Sequence, residues 1–306
     1  MLRRIPFIAF FVLILMSVAT AGRAAPRVVV SIAPVHSLAA GVMEGVAEPT
    51  LLVETNSSPH QYVLKPSQML SLQRADLVVW VGESVESFLP RVIGSLPERV
   101  QVMELSSLPT MTMLLARQGG VWEAEELGEH AHSHGDIDGH LWLDPHNASL
   151  IVRELVERLS LIDPAHAKRY RANGARLQQR LDKLDKSLRD TLVPLHDKPF
   201  LVFHDAYQYL EKRYGLDAVG AILIDPGRKP GAQRLAKIRA RAESLKVQCV
   251  FSEPQFPAKL MQVVTEGLNI KHATLDPIGI DLTPGPELYF KLMNQLGTQL
   301  TDCLQK

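Results

Sequence analysis

Four side chains able to donate to a metal ion stand where the pattern of the chain changes abruptly. His60 lies in "SSPHQY", His140 opens "HLWLDP", His204 closes the run "PFLVFH", and Asp276 follows "HATL". Neutral imidazole nitrogen and carboxylate oxygen both suit a borderline cation such as Zn²⁺, which takes four ligands in tetrahedral geometry. The four residues are far apart in sequence, and no compact motif such as HExxH is present. Two readings therefore stand: a convergent donor set, or four unrelated loop residues. The elements that carry them must decide.

Apolar runs rich in β-branched residues alternate with amphipathic stretches. Residues 28–32, 50–53, 77–81 and 100–103 read as strands, with helical patterns at 35–43 and 67–74. The alternation resumes with strands at 200–203, 218–224, 247–251 and 272–275, and helices at 206–214, 232–245, 257–268 and 286–304. This is the βαβ order of a parallel sheet, met twice. Between the two sets, Asp163 reads as a cap and Pro164 as a first-turn residue of one long helix over 164–193. Its residues Tyr170, Leu177, Leu181, Leu184 and Leu188 recur at helical spacing, which marks a packing stripe. The expected fold is α/β: two lobes, 26–163 and 194–306, each a parallel-type sheet flanked by helices, joined by that rigid helix. In open α/β sheets ligands bind beyond the carboxyl ends of strands, where all four candidate donors fall.

The first 25 residues stand apart. Arg3 and Arg4 precede an unbroken apolar run over 5–16 and then small residues, the order of a cleavable export signal. No cysteine lies nearby to take a lipid anchor, so a soluble exported protein is expected. Loss of this segment takes away Arg3, Arg4 and Arg23 and leaves 30 basic residues against 33 acidic ones, which argues against a nucleic-acid partner. Cys249 and Cys303 are the only cysteines, and in an oxidising compartment an even count favours a disulfide over two buried thiols.

Residues 117–139 break the α/β rhythm with glycine, acids and histidine and read as a mobile loop. Within it His130, His132 and His134, flanked by Glu129, Asp136 and Asp138, form a short tract that either binds metal weakly or is simply solvated. His146 reads as a surface residue just inside a helix capped by Asp144, His36 as a core or surface residue, and His166 and His196 as exposed. Glu83 and Glu86, near the end of the third strand, are placed on the cleft side; Arg228 and Lys229 are placed in a solvated loop.

The segments "SPHQYVLKPSQ", "DGHLWLDPHNA", "FLVFHDAYQYL", "VFSEPQF" and "TLDPIG", in this order, resemble the ZnuA-like zinc-binding proteins of bacterial ABC transporters over nearly the whole mature chain. The resemblance implies two α/β lobes bridged by a long helix, with Zn²⁺ held between them by His60, His140 and His204, and Asp276 as a fourth ligand or near neighbour. It implies a monomeric periplasmic carrier that passes its ion to a permease and its ATPase and performs no chemistry. A disulfide between Cys249 and Cys303 and a zinc-capturing role for the 130–134 tract are implied in the same way. Manganese-binding relatives tend to carry a carboxylate at the position of His204, so a third imidazole there favours zinc. Some relatives have an acidic residue before the first histidine; this chain has Pro59. Alternatives are a Mn²⁺ or Fe²⁺ carrier or adhesin of the same fold, or a secreted zinc hydrolase with Asp276 as general base.

Overall fold

The computed structural model describes residues 24–55, 57–117, 122, 137–224, 230–257 and 259–305. The first half comprises β1 (Val28–Val30), α1 (Ala33–Met43), β2 (Thr50–Leu51), α2 (Pro66–Arg74), β3 (Leu77–Trp80), α3 (Pro90–Ile93), β4 (Gln101–Glu104), the short strands β5 (Leu114–Leu115) and β6 (Ile137–Asp138), and α4 (Pro145–Ile162). There follow α5 (Ala167–Leu192), β7 (Pro199–His204), α6 (Gln208–Tyr214), β8 (Asp217–Leu223), α7 (Ala232–Ser244), β9 (Cys249–Ser252), α8 (Lys259–Thr265), β10 (Lys271–Thr274) and α9 (Leu288–Leu304).

Two four-stranded sheets form, with strand orders β2-β1-β3-β4 and β10-β9-β7-β8, and every pairing in them is parallel. The alternating side chains of each strand separate two cores. Val28 and Val30 of β1 and Phe200 and Val202 of β7 enter one large core shared by both sheets. Val29 and Val78 enter a smaller core outside the first sheet, and Leu201 and Phe203 one outside the second.

The shared core is organised by α5. Tyr170, Leu177, Leu181, Leu184 and Leu188 are all buried, as their spacing predicts. Glycine lets neighbouring helices approach them: a Cβ on Gly41 of α1 would stand 2.9 Å from Leu177, and one on Gly297 of α9 would stand 2.9 Å from Leu188. The helix start differs from expectation. Pro164–His166 forms a 3₁₀ turn, and the Asp163 carboxylate does not cap the helix but accepts from the Tyr170 hydroxyl at 2.8 Å and from His166 Nδ1 at 2.7 Å. Asp144 does cap α4, accepting the His146 N–H at 2.8 Å.

Cys249, at the start of β9, and Cys303, in the last turn of α9, form a disulfide with Cα atoms 6.0 Å apart. Among the described residues no helix is long and apolar enough to cross a membrane. Residues 1–23, and with them Arg3, Arg4 and Arg23, lie outside the described residues, as do His130, His132, His134, Arg228 and Lys229.

Candidate metal centre

The chain delivers three histidines to one point from three different ends. His60 sits on the 3₁₀ turn Pro59–Gln61 beyond β2, His140 two residues beyond β6, and His204 is the last residue of β7. Their ring nitrogens lie within 4.8 Å of one another, with Nε2 of His140 3.3 Å from Nε2 of His60 and 3.2 Å from Nε2 of His204.

A carboxylate orients each of the two deepest rings. His140 Nδ1 donates to Asp138 Oδ1 at 2.8 Å, and the same oxygen accepts the His140 backbone N–H at 2.9 Å. His204 Nδ1 donates to Glu253 Oε1 at 2.5 Å. With the ring proton held on Nδ1, neutral His140 and His204 both turn a bare Nε2 lone pair inward. Two lone pairs facing at 3.2 Å repel unless a positive charge lies between them. That charge is either a proton or a metal ion. Nitrogens bound to tetrahedral Zn²⁺ at about 2.0–2.1 Å stand about 3.3–3.4 Å apart, close to the spacing found here.

The surroundings are largely buried and in part aromatic. His204 and His140 are buried, the His204 ring lies 6.1 Å from that of Phe256, and Trp142 lies 5.3 Å from His140 with its indole N–H donating to the Pro277 carbonyl at 2.8 Å. Burial, then the proximity of His140 and His204, pushes the His60 pKa well below its ordinary value. Burial also acts to lower that of His204, but the charge and hydrogen bond of Glu253 outweigh it and raise the His204 value.

Asp276 is outside this group of three. Its Oδ1 accepts Gln255 Nε2 at 2.8 Å and the backbone N–H groups of Ile278 and Gly279 at 3.0 Å, while Oδ2 accepts the Ile280 N–H at 2.5 Å. Glu86 differs from expectation. It does not face the cleft: it is fully buried and accepts the N–H groups of Val81 and Gly82 at 3.2 and 3.0 Å and the Ser31 hydroxyl, and burial pushes its pKa up to about 7. Glu83 is exposed. His146 is exposed, His36 is buried against the Pro49 carbonyl at 2.9 Å, and His166 pairs with Asp163, so none of them joins the cluster.

Sequence reasoning passed over Asp138 and Glu253 as partners of the histidines. Asp138 carried a usable signal, since a carboxylate two residues before a ligand histidine can fold back on its Nδ1. Glu253 lies 49 residues from His204, and only the pairing of β7 with β9 brings them together.

Two parallel α/β sheets around a long helix, with a buried three-imidazole cluster at their strand ends, define the class: a two-lobed solute-binding protein with a metal-binding cluster. Residues 28–303 match the family model described as zinc-uptake complex component A, periplasmic, and the chain belongs to that family. It is 39% identical over 306 residues to the high-affinity zinc uptake system protein ZnuA of Brucella suis, covering 91% of this chain and 92% of that protein. A crystal structure of ZnuA shares the fold with a TM-score of 0.76 at 22% identity, covering 91% of this chain and 99% of that one. The solute-binding protein FpvC of Pseudomonas aeruginosa in complex with Mn²⁺ also superposes with a TM-score of 0.76, at 22% identity and over 92% and 98% of the chains.

Proposed function

We propose that this protein captures Zn²⁺ in the periplasm on His60, His140 and His204 and hands it to the permease of an ABC importer driven by its ATPase. The observation that carries the reading is the convergence of three imidazoles, two of them with Nδ1 tied to a carboxylate, at a spacing suited to one tetrahedral ion. The 39% identity to a zinc-uptake protein over almost the full length of both chains supports zinc as the cargo. The ion is bound and released unchanged, so the protein is a carrier and not an enzyme, working as a monomer once the segment 1–25 is removed. Residues 26–163 and 194–306 act as the two lobes, with 164–193 as the strut between them and the 130–134 histidine tract as an auxiliary site of capture.

A competitive titration of Zn²⁺ against Mn²⁺ with a chelating indicator, run beside His204→Ala, tests the reading. Tight one-to-one zinc binding that the substitution weakens strongly is the expected result. Equal retention of both metals, or zinc binding indifferent to His204, overturns it.

A further inference from the structure

The two deepest imidazoles come from different halves of the chain, yet their Nε2 atoms stand 3.2 Å apart. His204 ends β7, and the main chain turns at once: the Ala206 N–H donates to the His204 carbonyl at 2.9 Å, and α6 starts at Gln208. His140 follows β6, which pairs with β5 so that Asp138 stands opposite Leu114. Any error in placing these two segments against each other is an error in the spacing of two ligands.

Tyr209, in the first turn of α6, reaches both β5 and β6. It is buried, and its hydroxyl donates to the Asp138 carbonyl at 2.8 Å while accepting the Leu114 N–H at 3.0 Å. The contact falls on the residue that orients His140, because Asp138 Oδ1 accepts from both the ring Nδ1 and the backbone N–H of His140. Arg117, two residues beyond β5, binds Asp205 and Glu211, so the other strand of the pair is fastened to the same turn and helix. Asn147 supports the far side of His140 by donating to the Leu141 carbonyl at 3.2 Å, but it does so from α4, within the half of the chain that carries His140. Tyr209 reaches across from the half that carries His204.

We infer that Tyr209 is a positioning residue of the metal site: its hydroxyl fixes Asp138, and through Asp138 the ring of His140, against the ring of His204. The inference rests on the reading of the cluster as a zinc site. Loss of the hydroxyl leaves a buried N–H and a buried C=O without their partner, which is costly. The relief open to them is to pair with each other, and that draws β6 and Asp138 away from their present place beside α6.

Tyr209→Phe keeps the ring and removes the hydroxyl. Tyr214→Phe is its control, the same change on the same helix, where the hydroxyl donates to Asp185 of α5 at 2.9 Å, outside the cluster. Zinc affinity is measured by chelator competition, and the visible absorption of the Co²⁺-loaded protein reports the geometry of the ligands. Tyr209→Phe is expected to weaken zinc binding by about 10-fold, the low end for residues that orient a ligand, and to shift the Co²⁺ bands. Tyr214→Phe is expected to change neither, whatever it does to thermal stability. Because Tyr209 acts through Asp138, its substitution should add less than about twofold in an Asp138→Ala background. Unaltered bands and affinity in Tyr209→Phe overturn the assignment even if that variant melts earlier, as does an equal effect of Tyr214→Phe or an undiminished loss in the Asp138→Ala background. If the Co²⁺ spectrum of the unaltered protein is indifferent to His204→Ala, the three-histidine reading itself fails, and the assignment with it.

Discussion

Replacing Arg117 with methionine removes a clasp between the strand leaving β5 and the strand end that carries His204. The guanidinium donates from Nε to both oxygens of Asp205 at 3.1 Å and from Nη1 and Nη2 to Glu211 at 2.8 and 2.9 Å. It also stacks on Trp122, 3.7 Å from the ring centre. The three charged side chains are only 17%, 10% and 8% exposed. Removing one partner of such a buried pair costs about 3–5 kcal/mol when the remaining charge has no escape. Glu211 has one: burial, opposed by Arg117, already pushes its pKa from 4.5 to about 7, so near neutrality it can take up a proton. The expected loss is therefore at or below the low end of that range, about 2–3 kcal/mol.

The same group makes the loss depend on pH. Folded Glu211 keeps its proton where the unfolded chain, with a value near 4.5, has released it, so stability falls as pH rises from there through the folded value. In the unaltered protein this fall is nearly complete just above pH 7. Without Arg117 the folded value moves higher and the fall continues, at up to about 1.36 kcal/mol per pH unit. Urea unfolding of Arg117→Met and the unaltered protein at pH 6.5 and 8.5 measures the difference. The deficit should widen at the higher pH, and Glu211→Gln in the same background should remove the widening. A deficit below about 1 kcal/mol, within the range of ordinary substitutions, or one that does not change with pH, refutes the reasoning.

Glu253→Gln removes the charge behind His204 and is expected to weaken zinc binding by about 10- to 100-fold at pH 8, measured by chelator competition. Zinc affinity should fall steadily as pH drops through and below 7, because Glu253 holds His204 above its ordinary 6.5 and a proton on Nε2 competes with the metal; a flat profile from pH 8 to 5.5 would count against the site. His204→Ala should cost more than about 100-fold, beyond what an outer-shell change does, in the same assay. Replacing both Cys249 and Cys303 with serine opens a loop with a sequence separation of 54 and should lower stability by about 4 kcal/mol in urea while leaving one zinc bound.

The local patterns of the chain determined its elements. The continuous apolar run Val28–Val30 suits a strand buried on both faces, apolar residues at helical spacing from Tyr170 to Leu188 suit one buried face of a helix, and both appear as expected. The strand-end positions of His60 and His204 were legible for the same reason, because parallel sheets place their ligands beyond the carboxyl ends. Element ends were less legible: Pro164 heads a 3₁₀ turn, and the Asp163 carboxylate, expected as a cap, accepts instead from His166 and Tyr170, a choice among local partners that helical spacing does not settle.

Tertiary structure alone decided which polar atom faces which. Hydrogen-bond pairing depends on distance in space, which sequence spacing does not encode across 49 residues between His204 and Glu253. It turned Glu86 inward to hold strand ends and turned Asp276 onto four N–H groups. The sequence determined that imidazoles and carboxylates gather at the strand ends. Packing decided which of them turn a lone pair inward and which stand behind.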